Sequence, residues 1–336
     1  MKNMVAVVSG SKNKMLNNKK NILILGGFGF IGKNLIEDFL KTNTYSLSIL
    51  DLPGTSFGDP VVDDGGRLKI YHGNFSDRDL LRKIFTENNI DIVIHLVSTT
   101  IPATSNADII YDIHSNLEGT ISILEEMRKA SVLKIVYFSS GGTVYGSGTD
   151  EHKNRGFRES DQTNPISSYG IMKLAIEKYL ELYRYLFGIN YLILRESNPY
   201  GPYHNSDKQG FINVILKTIL SEKPVTIWGD GSVIRDFIYV KDTGRVLIDL
   251  LDRNIWNRIF NLGSGQGYSI NEILEIIKKE VGDFEIKYES TRSFDVPRAV
   301  LDISELSKTT PVANNLTGIK EGILLTYKWL NRNNIK

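Results

Sequence analysis

The feature that most constrains the fold is a glycine-rich segment directly after an apolar run. Residues 22–25 are all apolar, the segment Gly26–Gly32 follows at once, and a helical stretch, Ile31–Leu40, comes next. Strand, glycine turn and helix in this order begin a βαβ unit, in which the glycines permit a tight turn and close helix–strand packing. The glycines fit two registers: Gly26, Gly29 and Gly32, or Gly27, Gly29 and Gly32.

Apolar runs and helical stretches go on alternating as far as residue 195. The predicted strands are Ile22–Leu25, Tyr45–Leu50, Leu68–Tyr71, Ile92–Leu96, Ile135–Phe138 and Tyr191–Leu194. The predicted helices include Ile31–Leu40, Leu80–Asn88, Asn116–Ala130 and Leu174–Phe187. Because the strands are apolar nearly throughout, both faces of the sheet should be covered. The pattern therefore predicts an α/β fold, a Rossmann-type doubly wound parallel sheet.

The sequence pattern changes after Arg195. A turn-rich segment, Asn198–Pro202, is followed by shorter predicted helices and strands. We predict an N-terminal extension at residues 1–20, a dinucleotide-binding domain at 21–195 and a smaller mixed α/β substrate domain at 196–336. Two short strands, Phe237–Val240 and Ile259–Leu262, suggest that the segment from about 237 to 262 returns to the first domain.

The composition of the chain argues against several classes of function. The 336 residues carry a net charge of +1 and have no basic block, which argues against nucleic acid as a partner. The chain has no cysteine, which excludes disulfides, thiol nucleophiles and cysteine metal sites, and we expect no metal. No apolar stretch approaches the roughly 20 residues of a membrane helix. These features fit a cytoplasmic protein that does not enter a membrane.

The glycine turn and Asp51 together predict a nicotinamide dinucleotide site. The start of a helix offers free backbone N–H groups to a pyrophosphate. Here those of Phe30 and Ile31 are among them. Asp51 ends the second strand, where a carboxylate accepts the ribose hydroxyls and repels a 2′-phosphate. No arginine follows Asp51. The expected cofactor is therefore NAD rather than NADP.

Tyr169 and Lys173 form the candidate catalytic pair. Their i, i+4 spacing places them on one helix face. An unperturbed tyrosine has a pKa near 10, and a neighbouring ammonium group stabilises its phenolate. Tyr169 could then take a proton from a sugar hydroxyl beside the nicotinamide.

With these motifs the chain resembles the extended short-chain dehydrogenase/reductase superfamily, in particular nucleotide-sugar 4-epimerases of the UDP-glucose 4-epimerase type. The resemblance runs from Asn21 to about Leu330. It rests on the segments already named and on the following further ones: His72–Asn74, Val93–Leu96, Asn116, Ser139–Gly146, Ser197–Gly201, Trp228–Phe237, Arg292 and Asp295.

The resemblance implies further cofactor contacts. Asn74 and Phe75 would flank the adenine, and Asn116 would stand beneath the active site. The middle of the cofactor would be lined by Leu96, Val97 and Ser98, and by Ser139 at the end of the fifth strand. His95 is better explained as a packed core histidine than as a base.

One position departs from the family pattern. The family places a catalytic Ser or Thr where this chain has Gly141. Either Thr143 or Ser140 must supply the hydroxyl, or Tyr169 works without it; we favour Thr143. Relatives that dehydrate or decarboxylate carry an acidic residue beside that Ser or Thr, whereas this chain has Gly142 and Thr143. This argues for simple oxidation and reduction at one carbon.

The resemblance also implies a site for a UDP-sugar. Arg235 and Arg292 would bind the diphosphate with Asn198, and Asp295 would take ribose hydroxyls. Ala299 occupies a position where a small residue admits an N-acetyl group at C2 of the sugar. We therefore expect a UDP-hexose 4-epimerase, active on UDP-glucose and UDP-galactose and on their N-acetylated counterparts, and a homodimer.

Two other functions are compatible with the sequence. The first is a nucleotide-sugar reductase or dehydrogenase, which would consume cofactor stoichiometrically. The second is a non-catalytic NAD-binding regulator, which the intact Tyr169–Lys173 pair argues against and Gly141 mildly favours.

Overall fold

The computed structural model describes residues 19–56, 66–207, 209–290 and 296–333. Up to residue 200 its elements are β1 (Lys20–Leu25), α1 (Phe30–Lys41), β2 (Tyr45–Asp51), β3 (Leu68–His72), α2 (Arg78–Asn88), β4 (Ile92–His95), α3 (Ile109–Asp112), a π-helix (Ile113–Glu118), α4 (Gly119–Lys129), β5 (Lys134–Ser140), α5 (Asp150–Arg155), α6 (Ser168–Phe187), β6 (Asn190–Glu196) and β7 (Asn198–Tyr200). The extension predicted at residues 1–20 lies almost entirely outside the described residues.

The remaining elements are shorter on average. They are α7 (Phe211–Leu220), β8 (Val225–Trp228), β9 (Ile234–Tyr239), α8 (Val240–Asp252), β10 (Arg258–Leu262), β11 (Gly267–Ser269), α9 (Ile270–Val281), β12 (Ile286–Glu289), β13 (Arg298–Ala299), α10 (Ser304–Thr309), a 3-10 helix (Pro311–Asn314) and α11 (Ile319–Arg332).

Seven parallel strands form the central sheet, in the order β10-β6-β5-β4-β1-β2-β3. Both faces are covered over the inner strands, which explains why those strands are apolar nearly throughout, whereas the edge strand β3 is largely exposed. On one face α1 and α8 contribute core residues such as Phe39 and Leu250. On the other face α2, α4 and α6 contribute residues such as Phe85, Ile123 and Ile176. The predicted α/β, doubly wound parallel fold is confirmed.

A smaller second domain packs around its own core. β9 pairs with β7, β11 and β13, and β8 pairs with β12. Apolar residues of α7, α9 and α11 fill the space between these strands. The segment expected to return to the first domain divides into two parts. β10 joins the central sheet beside β6 and α8 packs on α1, whereas β9 stays in the second domain because its partners are there.

The carboxyl ends of the central strands open into a cleft of about 940 Å³ between the two domains. The strand order reverses between β1 and β4, and ligands of open α/β sheets bind at such a point. Among the described residues no helix is both long and apolar enough to span a membrane.

Candidate active site

The glycine turn between β1 and α1 lines the cleft, and its glycines serve different purposes. Gly26 has a φ of +77°, which favours glycine. A Cβ on Gly32 would lie 2.5 Å from the carbonyl oxygen of Gly27, so helix and strand could not pack as closely. Gly29 is the N-cap of α1 without a capping side chain, which leaves the first N–H groups of the helix to a ligand. The register Gly26, Gly29, Gly32 fits this geometry.

Asp51 ends β2 next to this turn. Its Oδ2 accepts a hydrogen bond from the Phe28 N–H and its Oδ1 accepts one from the Leu52 N–H, both at 2.8 Å. Each carboxylate oxygen keeps further lone pairs for ribose hydroxyls. Lys33, in the first turn of α1, lines the cleft and brings a positive charge towards the place of a pyrophosphate. The residues present therefore fit NAD.

Tyr169 and Lys173 lie in the first two turns of α6, which is capped by Ser167 accepting from the Gly170 N–H at 3.2 Å. Both side chains line the cleft. The Lys173 Nζ donates to the Phe138 carbonyl oxygen at 2.8 Å and lies 5.5 Å from the centre of the Tyr169 ring. The predicted pair therefore lies together in the cleft.

Burial shifts the pKa of both groups. It raises the pKa of Tyr169 to about 12, and a hydrogen bond with Ser98 opposes that rise. It lowers the pKa of Lys173 to about 8, against the influence of the carboxylates of Glu177, Glu196 and Asp112. A tyrosine that works as a base here needs added positive charge, which the ring of oxidised NAD would supply.

The turn after β5 explains why this chain has Gly141 where the family has a Ser or Thr hydroxyl. A Cβ on Gly141 would lie 2.5 Å from Leu301 Cδ1 and 2.9 Å from the Arg195 carbonyl oxygen, so the backbone runs too close to its neighbours for a side chain. Thr143 lines the cleft, and its Oγ1 is buried without a hydrogen-bond partner among the described residues. A buried hydroxyl without a partner is unfavourable, and a substrate oxygen would satisfy it. Ser140 also lines the cleft.

A buried polar layer beneath the cleft fixes α6 to the sheet. Arg195 forms an ion pair with Glu177 at 2.7 Å, and Ser139 donates its hydroxyl to the same carboxylate. Asp112 accepts hydrogen bonds from Ser168 at 2.6 Å and from Asn116 at 2.9 Å. These contacts set where Tyr169 stands.

The structure brings only some of the predicted cofactor residues to the cleft. The residues that line it are Gly26, Gly29, Phe30, Ile31, Gly32, Leu96, Ser98, Ser139, Tyr169 and Lys173. Asp51, Asn74, Phe75, Val97 and Asn116 do not line it. Asn74 accepts hydrogen bonds from Ser76, Phe75 packs on His95, and Asn116 accepts from the Thr99 N–H. Their cofactor roles stay predictions.

His95 is a packed core residue in this structure. Its side chain is buried, its Nε2 lies 2.9 Å from the Thr120 hydroxyl, and burial lowers its pKa to about 3. It is therefore neutral at physiological pH and does not line the cleft.

On the substrate side, Asn198 and Arg235 line the cleft. Asn198 Nδ2 donates to the Asp236 carbonyl oxygen at 2.8 Å, and Arg235 Nη1 donates to that of Val296 at 2.6 Å. Arg292 and Asp295 lie outside the described residues. Ala299 is buried in β13 opposite Arg235 and does not line the cleft, so its role stays a prediction.

The sequence reasoning missed Glu196 and His204, which both line the cleft. Glu196 ends β6, and a carboxylate at the end of an apolar run next to another charged residue is the signal that could have revealed it. His204 packs edge-on against Phe30 with ring centres 4.5 Å apart, and burial lowers its pKa to about 4. No local pattern distinguishes it.

Comparison with known proteins gives one consistent result. The profile of the NAD dependent epimerase/dehydratase family matches residues 22–263. A Methanocaldococcus jannaschii protein, provisionally named a UDP-glucose 4-epimerase, is 35% identical over 93% of this chain and 99% of its own length.

Two solved structures share the fold over nearly their whole length. The UDP-N-acetylglucosamine 4-epimerase of Methanobrevibacter ruminantium, in complex with UDP-N-acetylmuramic acid, has a TM-score of 0.82 at 27% identity and covers 94% of this chain and 99% of its own. The UDP-glucuronic acid 4-epimerase of Bacillus cereus, solved with UDP-glucuronic acid and NAD, has a TM-score of 0.82 at 26% identity, over 93% and 99%.

The family match extends from β1 to β10, so it includes the glycine turn, the Tyr169–Lys173 helix and the strand that returns to the central sheet. Sequence, fold and cleft thus agree over most of the chain, and the protein belongs to the NAD-dependent epimerase/dehydratase family.

Proposed function

We propose that the protein is a UDP-hexose 4-epimerase, which inverts C4 of the sugar in UDP-glucose and UDP-galactose and in their N-acetylated counterparts. The observation that carries the proposal is that Tyr169 and Lys173 share one cleft with the glycine turn. The 4-epimerase names of its relatives support the reaction, although those relatives act on different sugars. The N-acetylated substrates rest on the small side chain of Ala299.

The chain's own residues can perform the proton chemistry. Tyr169, as phenolate, accepts the proton of the C4 hydroxyl, and Lys173 stabilises that phenolate by its charge. NAD held by the glycine turn and Asp51 would supply the acceptor and then the donor of the hydride at C4. Thr143 donates its hydroxyl to the C4 oxygen. When the keto sugar has turned over, Tyr169 returns the proton and the opposite configuration results.

The nucleotide end of the substrate must stay bound while the sugar turns. Asn198 and Arg235 line the cleft where they could hold a diphosphate, and Arg292 is predicted to join them. Binding energy placed on the nucleotide leaves the sugar free to present either face. Gly142 and Thr143 stand where relatives that dehydrate carry an acidic residue and are not acidic themselves, which favours epimerisation over elimination.

The test is to incubate the purified protein, without added cofactor, with UDP-N-acetylglucosamine and separately with UDP-glucose, and to separate the products. Conversion to the galacto-sugar is expected. Tyr169→Phe should fold and retain NAD but lose about 10²- to 10⁴-fold in kcat. Consumption of added cofactor in proportion to product would contradict the proposal and indicate a reductase or dehydrogenase. Activity on any UDP-sugar would exclude a non-catalytic regulator.

We also propose that the protein is a homodimer. The exposed apolar residues Ile171, Tyr179, Leu182 and Leu186 recur at helical spacing on α6. Ile109, Ile110 and Tyr111 extend this surface on α3, which packs against α6. An apolar surface of this kind on two neighbouring helices is typical of an interface, and a second copy would cover it symmetrically.

A further inference from the structure

Glu196 is a buried carboxyl group that the proposed mechanism does not use. It is the last residue of β6, and the residue is only 5% exposed. It lines the cleft together with Tyr169 and Lys173. Among the described residues that line this cleft, Glu196 is the only one with a carboxylate.

The position of Glu196 is fixed from two sides. The Thr243 hydroxyl of α8 donates to Glu196 Oε1 at 2.6 Å. The Gly141 N–H donates to the backbone oxygen of Glu196 at 2.8 Å, and Ser140 is its partner in β5. Within the described part of the chain no hydrogen bond reaches Oε2. The carboxyl group therefore stands at the carboxyl edge of the sheet with one oxygen left to interact with a ligand.

The groups around Glu196 are polar, and most of them are titratable. Tyr169 and Lys173 approach from α6, Thr243 approaches from α8, and the charge of Asp112 acts on the same pair of α6 residues. Burial raises the pKa of Glu196 to about 7, and Thr243 and Lys173 oppose the rise. The carboxyl group thus ionises near neutral pH beside the catalytic pair.

We propose that the carboxylate of Glu196 favours the oxidised over the reduced form of NAD in this cleft. The nicotinamide ring is positively charged when oxidised and neutral when reduced. Because Tyr169 must reach the hydroxyl on the carbon that gives up hydride, the ring of bound NAD would lie near Tyr169, on which the charge of Glu196 acts within the same cleft. The ammonium of Lys173 disfavours a positive ring, and a nearby carboxylate offsets it.

The advantage of favouring oxidised NAD rests on the proposed epimerase function, whereas the effect of the Glu196 charge on the ring does not. Hydride leaves C4 of the sugar and returns to it, so each turnover must end with oxidised cofactor. An enzyme whose cofactor stays reduced after the keto sugar escapes has no second substrate to restore it. A carboxylate that stabilises the oxidised form makes the return of the hydride more favourable at the keto sugar.

The experiment measures the bound cofactor and needs no sugar substrate. Wild-type holoenzyme and E196Q are dialysed to equilibrium against a fixed mixture of NAD⁺ and NADH, and the bound ratio is read from NADH absorbance. At about pH 8 the ratio of bound NAD⁺ to NADH should be about tenfold lower in E196Q. At about pH 6, where Glu196 is mostly protonated, the difference should fall below about twofold. Glu196 also raises the pKa of Lys173 and of Tyr169, so both groups titrate at lower pH in E196Q, and the bound ratio is followed from about pH 6 to about pH 8 in both proteins.

Two variants separate this role from a merely structural one. Thr243→Val removes a hydrogen bond that lowers the pKa of Glu196. As the pH falls, the preference for NAD⁺ over NADH should therefore be lost at a higher pH than in the wild type. Glu196→Asp should restore part of the preference at about pH 8.

Equal ratios in the wild type and E196Q at about pH 8, with equal thermal stability, would overturn the proposal. Loss of water from a UDP-sugar in the wild type but not in E196Q would also overturn it, because Glu196 would then protonate a leaving hydroxyl. A correct ratio without epimerisation would instead reject the proposed function alone.

Discussion

Single residues adjust the proton chemistry of this cleft, because Tyr169 is buried and its pKa is raised to about 12. A hydrogen bond with Ser98 opposes this rise. Ser98→Ala should therefore raise the pKa of Tyr169 further. Since the phenolate is the active form, the acid limb of the kcat profile should move to higher pH, with a loss at neutral pH that diminishes in alkali.

The control for Ser98→Ala is Ser115→Ala, whose hydroxyl bonds to Thr99 and to the Tyr111 carbonyl oxygen. This variant should keep the wild-type pH profile. A uniform loss at every pH in Ser98→Ala would argue against an effect through the Tyr169 pKa.

Thr143 and Ser140 can be distinguished by comparing stability with activity. The Thr143 Oγ1 is buried without a partner, so Thr143→Val should leave the melting temperature equal or higher. If this hydroxyl contacts the substrate, kcat should fall by about 10- to 100-fold. Ser140→Ala should change kcat by less than about threefold. The reverse order of effects would assign the role to Ser140.

Ala299 carries the prediction about the acetylated sugars. Ala299→Tyr should abolish turnover of UDP-N-acetylglucosamine while retaining turnover of UDP-glucose. Because Ala299 is buried in β13, the melting temperature must be measured together with kcat/KM for both sugars. Equal loss on both sugars in a folded variant would contradict the prediction.

At the scale of elements, the turn that follows β5 is shaped by a residue much later in the chain. Leu301 occupies the space where a side chain on Gly141 would stand, whereas nothing lies within 4 Å of a Cβ on Gly142. Gly141→Ser, which restores the family residue, should therefore destabilise the fold by about 1–3 kcal/mol and give no gain in activity.

Gly142→Ser is the matched control for Gly141→Ser and should change the free energy of unfolding by less than about 0.5 kcal/mol. Chemical denaturation of both variants measures the difference. A gain in kcat with unchanged stability in Gly141→Ser would show that the turn can accommodate the family hydroxyl.

At the scale of the whole molecule, the exposed apolar face of α6 should be the surface between two copies. The double variant Leu182→Glu/Leu186→Glu places charges in that face and should convert a dimer to a monomer in light scattering. Tyr288→Glu replaces an exposed aromatic residue of β12 and should leave the assembly unchanged. A wild-type protein that is monomeric at assay concentration would contradict the homodimer proposal.

The sequence by itself determined what depends on neighbouring residues. The strand–turn–helix around Gly26–Gly32 and the face shared by Tyr169 and Lys173 follow from local spacing, and the parallel sheet follows from apolar strands that alternate with helices. Only the tertiary structure decided the rest. Leu301 against Gly141, His204 in the cleft and the pairing of β10 with β6 each depend on packing between segments far apart in the chain, which no local pattern encodes.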